Sequence, residues 1–132
     1  MTKAGALYQF FSSFGIEAYE ETLVPTGDEA PKFPYLTYQL VTDSFENEVQ
    51  IPVSLFYYSE ASLLALNEKT EEISKRIGRG GVMLDCDGGK IWLKRGSPFA
   101  QTMGDESDRT VSTDKTIKRK YINITAEFLT AD

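Results

Sequence analysis

Acidic side chains stand in adjacent pairs, Glu20 with Glu21 and Asp105 with Glu106, and paired carboxylates are what glycoside hydrolysis uses. That chemistry holds its two carboxyl groups at a set separation across a cleft, and nothing in the spacing of these pairs specifies one. Asp85-Cys86-Asp87-Gly88 resembles half of a calcium loop without the spacing to the closing glutamate. A core cysteine followed by an Asp-Gly turn accounts for it better. Gly78-Arg79-Gly80-Gly81 is glycine-rich, yet it follows a helical pattern and precedes a strand pattern. A phosphate cradle needs the reverse order and usually a Lys-Ser/Thr, so the run reads as a helix terminator. Lys118-Arg119-Lys120 is a short basic run whose members alternate between faces if they lie on a strand. Lys118 and Lys120 are thereby candidate interface-strand residues, able to meet acidic groups of this chain or a neighbour. Asn123-Ile124-Thr125 matches a glycosylation sequon, which a cytoplasmic chain would not use.

The chain has no histidine and one cysteine, Cys86. The commonest general base, the usual catalytic triad and the commonest zinc ligand are therefore missing, and no disulfide can form within the chain. The expectation is a protein that is not an enzyme, with no catalytic residue, no cofactor and no metal.

What remains is docking. A polar stretch from Gly96 to Thr116 lies between two strand-like segments, with Asp105, Glu106, Asp108 and Asp114 against Arg109 and Lys115. Structureless connections longer than about 12–15 residues are uncommon in compact domains and are usually functional or disordered. This one has too little apolar surface to offset the entropy of ordering it alone. It is read as a long mobile loop that orders against a partner. Phe99 would anchor its base, Asp105, Glu106 and Asp108 would meet basic groups, and Arg109 completes the contact set.

The whole chain of 132 residues suits one domain, and 41% hydrophobic and 12% aromatic content supply a core. A net charge of −6 disfavours nonspecific nucleic-acid or anionic-membrane binding and favours partners with basic surfaces. No apolar run approaches the ~18 residues of a membrane span, and the opening residues lack a signal-peptide pattern. The expectation is the cytoplasm where the chain is made.

Periodicity places the elements. Leu7, Phe10, Phe11 and Phe14 follow the i, i+3, i+4, i+7 spacing of an amphipathic helix that Gly15 stops. A short strand is expected within Ile16–Val24 and a turn-rich connection over Pro25–Pro34. Tyr35–Thr42 and Gln50–Tyr58 alternate as strands, with an acidic turn between them. Pro52 lacks a ladder donor, which predicts an edge strand or a bulge. Ser59 can cap a second helix whose stripe is Leu63, Leu66, Thr70, Ile73 and Ile77, ended by Gly78. Val82–Cys86 and Lys90–Lys94 flank the hairpin turn Asp87-Gly88-Gly89, and Ile117–Leu129 closes the fold with Ile122, Ile124, Ala126 and Phe128 inward. The predicted class is α+β: a mostly antiparallel sheet of four to five strands with two helices packed on one face. Tyr35, Phe56, Tyr58 and Trp92 alternate outward; some must lie under helices, and those left on a second surface mark either an interface, as an aromatic-rich sheet face often does, or a face covered by loops.

Several segments, taken in order, resemble one family. They are Phe14-Gly15-Ile16-Glu17-Ala18-Tyr19-Glu20-Glu21, then Val24-Pro25 and Phe33-Pro34-Tyr35-Leu36-Thr37-Tyr38, then Ile91-Trp92-Leu93-Lys94-Arg95-Gly96-Ser97-Pro98-Phe99-Ala100-Gln101, and Lys118-Arg119-Lys120-Tyr121-Ile122-Asn123-Ile124. Together they are similar to the small tail-completion or tail-terminator proteins of long-tailed bacteriophages and prophages. The order and the chain length carry the likeness more than any one motif.

The resemblance implies a structural virion protein, a homo-oligomeric ring (commonly a hexamer) at the head-proximal end of the tail tube. Its partners would be its own copies, the tail tube protein and the head connector protein, with no sequence-specific nucleic-acid recognition and no membrane. It would reside in the host cytoplasm during assembly and in the virion tail afterwards. The competing readings are a head-completion or connector protein of similar layout and an unrelated cytoplasmic adaptor or small enzyme.

Overall fold

A computed structural model of the chain describes residues 1–58, 62–102 and 117–132. The elements run α1 (Lys3–Ser12), β1 (Glu17–Glu20), β2 (Tyr35–Tyr38), β3 (Glu48–Tyr58), α2 (Ser62–Ile77), β4 (Val82–Cys86), β5 (Gly89–Thr102) and β6 (Ile117–Thr130). Two 3-10 turns, Glu21–Leu23 and Gly27–Glu29, punctuate the connection from β1 to β2. The six strands form one mixed sheet in the order β1-β2-β3-β6-β5-β4. The class is therefore α+β, with six strands instead of four to five and with β1 parallel to β2.

Thr2 caps α1, its hydroxyl accepting from the Gly5 amide at 2.9 Å. The helix lays Leu7, Phe10 and Phe11 on the sheet, and Phe14 follows them into the core past the Ser13 cap. Phe11 stacks on Tyr38 of β2 at 4.7 Å between ring centroids. From α2 come Leu66, Ile73 and Ile77, and from the strands Ile51, Val53, Leu55, Ile91, Leu93, Ile122, Ile124, Ala126 and Phe128, all in one hydrophobic cluster. Both helices thus lie on one face. The Lys69 ammonium donates to the Phe14 carbonyl at 2.7 Å and Arg76 to the Ser13 hydroxyl at 3.0 Å, so α2 grips the C-terminal end of α1 with cations where carbonyls are left unpaired. The expected stripe of α2 holds from Leu66 onward, while Leu63 is exposed.

Two strand readings change. Pro52 lies inside the sheet, its strand flanked by β2 and β6. Its carbonyl accepts from the Gln39 amide at 3.0 Å. In an antiparallel strand a residue's N and C=O point to the same side, so the donorless nitrogen faces β2 one residue past its end at Tyr38. Only one ladder bond is lost, at a local edge. Second, Gly96–Thr102 belongs to β5 and is not loop. The strand bulges there: four residues, Gly96 to Phe99, stand opposite Asn123 alone before pairing resumes at Ala100 with Ile122. The Asn123 amide holds the excursion by donating to the Pro98 carbonyl at 2.8 Å.

Candidate docking surfaces

The middle of β5 and the chain leaving α2 form an open cleft of about 460 Å³ lined by Arg79, Gly80, Trp92, Lys94, Arg95, Gly96 and Phe99. Its shape depends on close approaches. Gly81 has φ +85°, and a Cβ there would lie 2.5 Å from the Leu93 carbonyl oxygen and 2.9 Å from Cδ1 of Trp92. Glycine is what lets the backbone pass under the indole. The indole Nε1 then donates to the Gly80 carbonyl at 2.9 Å. Lys94, two residues along the same strand face, sets its ammonium 4.5 Å from the Trp92 ring centroid and 3.4 Å from a Glu48 carboxylate oxygen. Arg95 points to the helix side and donates to the Ser74 hydroxyl at 2.9 Å. Arg79 is exposed just past the end of α2, and Phe99 is half-buried against the core. Three cations and two aromatic rings thus converge on a protein of net charge −6.

A second cluster lies at the other end of the helix-free face. Tyr35 and Phe56, cross-strand partners, stack at 4.9 Å, and Phe33 leans on Tyr35 at 5.3 Å and on Tyr58 at 5.5 Å. The Arg119 guanidinium sits 5.5 Å from the Phe56 ring centroid and donates to the Ser54 hydroxyl at 3.1 Å. Tyr35 and Phe56 are buried, so the aromatic face expected from the alternation opens to solvent chiefly through Phe33 and Tyr58.

The basic run divides as alternation requires. Lys118 and Lys120 pair across from Tyr57 and Leu55 on the helix side, and Arg119 faces away. Lys120 is engaged within the chain, donating to the Asn67 side chain at 2.7 Å, and Lys118 is half-buried with contacts of its own. Of the expected contact residues, Phe99 reaches the cleft, whereas Lys118 and Lys120 do not line it. Asp105, Glu106, Asp108 and Arg109 lie outside the described residues. Sequence reasoning missed Arg79, Lys94 and Arg95 as a group. The available signal was Trp92-x-Lys94-Arg95 following a glycine run, which reads as helix termination until the bulge brings Phe99 beside it.

Beside β4 a second cavity, about 590 Å³, separates the strand from α1 and is lined in part by Met1, Phe10, Met83 and Cys86. Burial pushes the Cys86 thiol pKa above its ordinary value. On the hairpin, the Lys90 ammonium pairs with Asp85, first by hydrogen bond and then by charge, and lowers that carboxyl's pKa. Among the described residues no three of His, Cys, Asp and Glu gather where they could hold a metal, and no helix is long and apolar enough to cross a membrane.

The chain matches no protein-family model and no curated protein.

Proposed function

We propose that this chain is a structural subunit of a long-tailed phage or prophage particle. It caps the head-proximal end of the tail tube as a ring, stops the tube's growth and offers the head connector a surface. The observation that carries the reading is the order of the resembling segments along a chain of matching length. In the fold those segments occupy β1, β2, β5 and β6 with their flanks, so they form much of the sheet and the wall of the cleft. What the described surface offers is recognition chemistry, with cations beside aromatic rings and carboxylates on an exposed helix face. A ring needs a contact between two different patches that closes by rotation.

The test is a tube-growth assay. Purified chain is added to tail tube protein polymerising from its natural initiator, and tube lengths are measured by negative-stain microscopy. Growth should stop, with a ring-shaped density of about six subunits at one end of each tube. Tubes that lengthen unchanged, with bare ends, would overturn the reading.

A further inference from the structure

We infer that the cleft around Trp92 receives the acidic outer stripe of α2 from a second copy of this chain. The inference rests on the ring reading and names the surfaces that would join neighbours. The cleft side supplies Arg79, Lys94 and Arg95 beside Trp92 and Phe99. Lys94 is only loosely held by Glu48 at 3.4 Å, and Arg79 makes no ion pair among the described residues. Guanidinium forks are suited to paired carboxylate oxygens. The stripe side supplies Leu64, Glu68 and Glu71, whose spacing puts them on one face of the helix. All three are exposed, Leu64 at 68%, and neither glutamate has an ion-pair partner among the described residues. An apolar residue followed by two carboxylates thus faces aromatic rings beside cations.

No ion pair joins the two patches within the chain among the described residues, although Arg95 reaches Ser74 one turn along α2 from Glu71. Leu64 begins the stripe near the N-terminal end of α2, whereas the cleft opens past its C-terminal end at Arg79. The contact is therefore head-to-tail between different surfaces, the kind that builds rings when the rotation closes. Pro98 lies in the bulged part of β5. It cannot donate to an added strand, so side chains carry the contact rather than sheet extension. Nucleic-acid phosphate is the competing occupant, and the net charge of −6 opposes it.

The test uses two charge-reversed full-length chains, one carrying Glu68→Lys and Glu71→Lys, the other Arg79→Glu and Lys94→Glu. Mass is followed by light scattering from micromolar to millimolar protein. Wild type should associate, and each reversed chain should associate at least about tenfold more weakly. An equimolar mixture should recover the assembly, because the reversed stripe of one fits the reversed cleft of the other. That recovery also excludes misfolding as the cause of the loss. Reversed chains that assemble like wild type overturn the surface assignment and leave the ring reading standing. A wild type that stays monomeric overturns the assignment as well, and the tube-growth assay then decides the ring reading separately. A mixture that fails to recover although circular dichroism shows both chains folded, or duplex DNA held by wild type and released by the Arg79→Glu/Lys94→Glu chain, would also overturn it.

Discussion

Replacing Gly81 by alanine tests the physical account of the cleft at its tightest point. Two costs add. The backbone there has φ +85°, and the left-handed region costs an L-residue roughly 1–2 kcal/mol. The new methyl would also lie 2.5 Å from the Leu93 carbonyl oxygen, a backbone atom fixed by the β4–β5 ladder, and nearer still to Nε1 of Trp92. Overpacking of this kind costs about 1–3 kcal/mol. The sum is about 2–5 kcal/mol, a large part of the 5–15 kcal/mol by which domains are typically stable. At roughly 2.1 cal/mol/K of unfolding entropy per residue, a chain of 132 residues loses about 3–4 °C in Tm for each kcal/mol, so the expected fall is on the order of 10 °C. The assay is urea unfolding followed by tryptophan fluorescence, and Trp92 is the only tryptophan. The same trace should show native emission shifted to the red as the indole leaves Gly80. Gly80→Ala is the internal control: a Cβ there meets nothing within 4 Å, and the expected loss is under about 0.5 kcal/mol. Equal, small effects from both substitutions would refute the close-approach argument.

Phe11→Ala removes a fully buried ring that meets Phe10 edge-on at 5.4 Å and stacks on Tyr38; a loss of about 3–5 kcal/mol is expected, read from the urea midpoint at unchanged m-value. Asp85, whose pKa the Lys90 pair lowers, contributes stability that is present above the ordinary aspartate pKa and fades as pH falls through the folded value. A carboxyl NMR titration should find its midpoint below the usual aspartate range and Lys90→Met should return it there, whereas an unmoved midpoint would contradict the pairing. Burial raises the Cys86 thiol pKa, so alkylation by iodoacetamide at neutral pH should run slower than for glutathione and accelerate on adding urea. A rate equal to glutathione's would show that the cavity beside β4 does not shield it.

Much of the fold was legible because it is written in local periods. The Leu7-Phe10-Phe11-Phe14 stripe, the alternations through Ile51–Tyr57 and Ile122–Phe128, and the Asp87-Gly88 turn each follow from geometry within one element. Pro52 misled because ring chemistry says that a donor is missing but not which neighbour it faces, and here it faces the end of β2. Gly96, Ser97 and Pro98 read as loop because they are poor strand formers. What keeps them in β5 is the Asn123 side chain on another strand and the pairing that resumes at Ala100. Leu63 fits the stripe of α2 by spacing alone, but periodicity says nothing about where the sheet beneath a helix ends. The parallel pairing of β1 with β2 likewise depends on a crossover that no local pattern encodes. At the site, Phe99 stood out in the sequence as the base of a loop, and the structure places it in the cleft lining. Arg79, Lys94 and Arg95 were not legible as a group, because a helix terminus, a strand and a bulge bring them together.

The measurement that bears most directly on the tail-terminator reading is tail length in particles assembled without this chain. A phage or induced prophage with its gene deleted is lysed and imaged, with and without the wild-type chain supplied in trans. The account predicts unjoined heads and tails that run beyond their normal length, both corrected by the supplied chain. Full particles with tails of normal length from the deletion would contradict it.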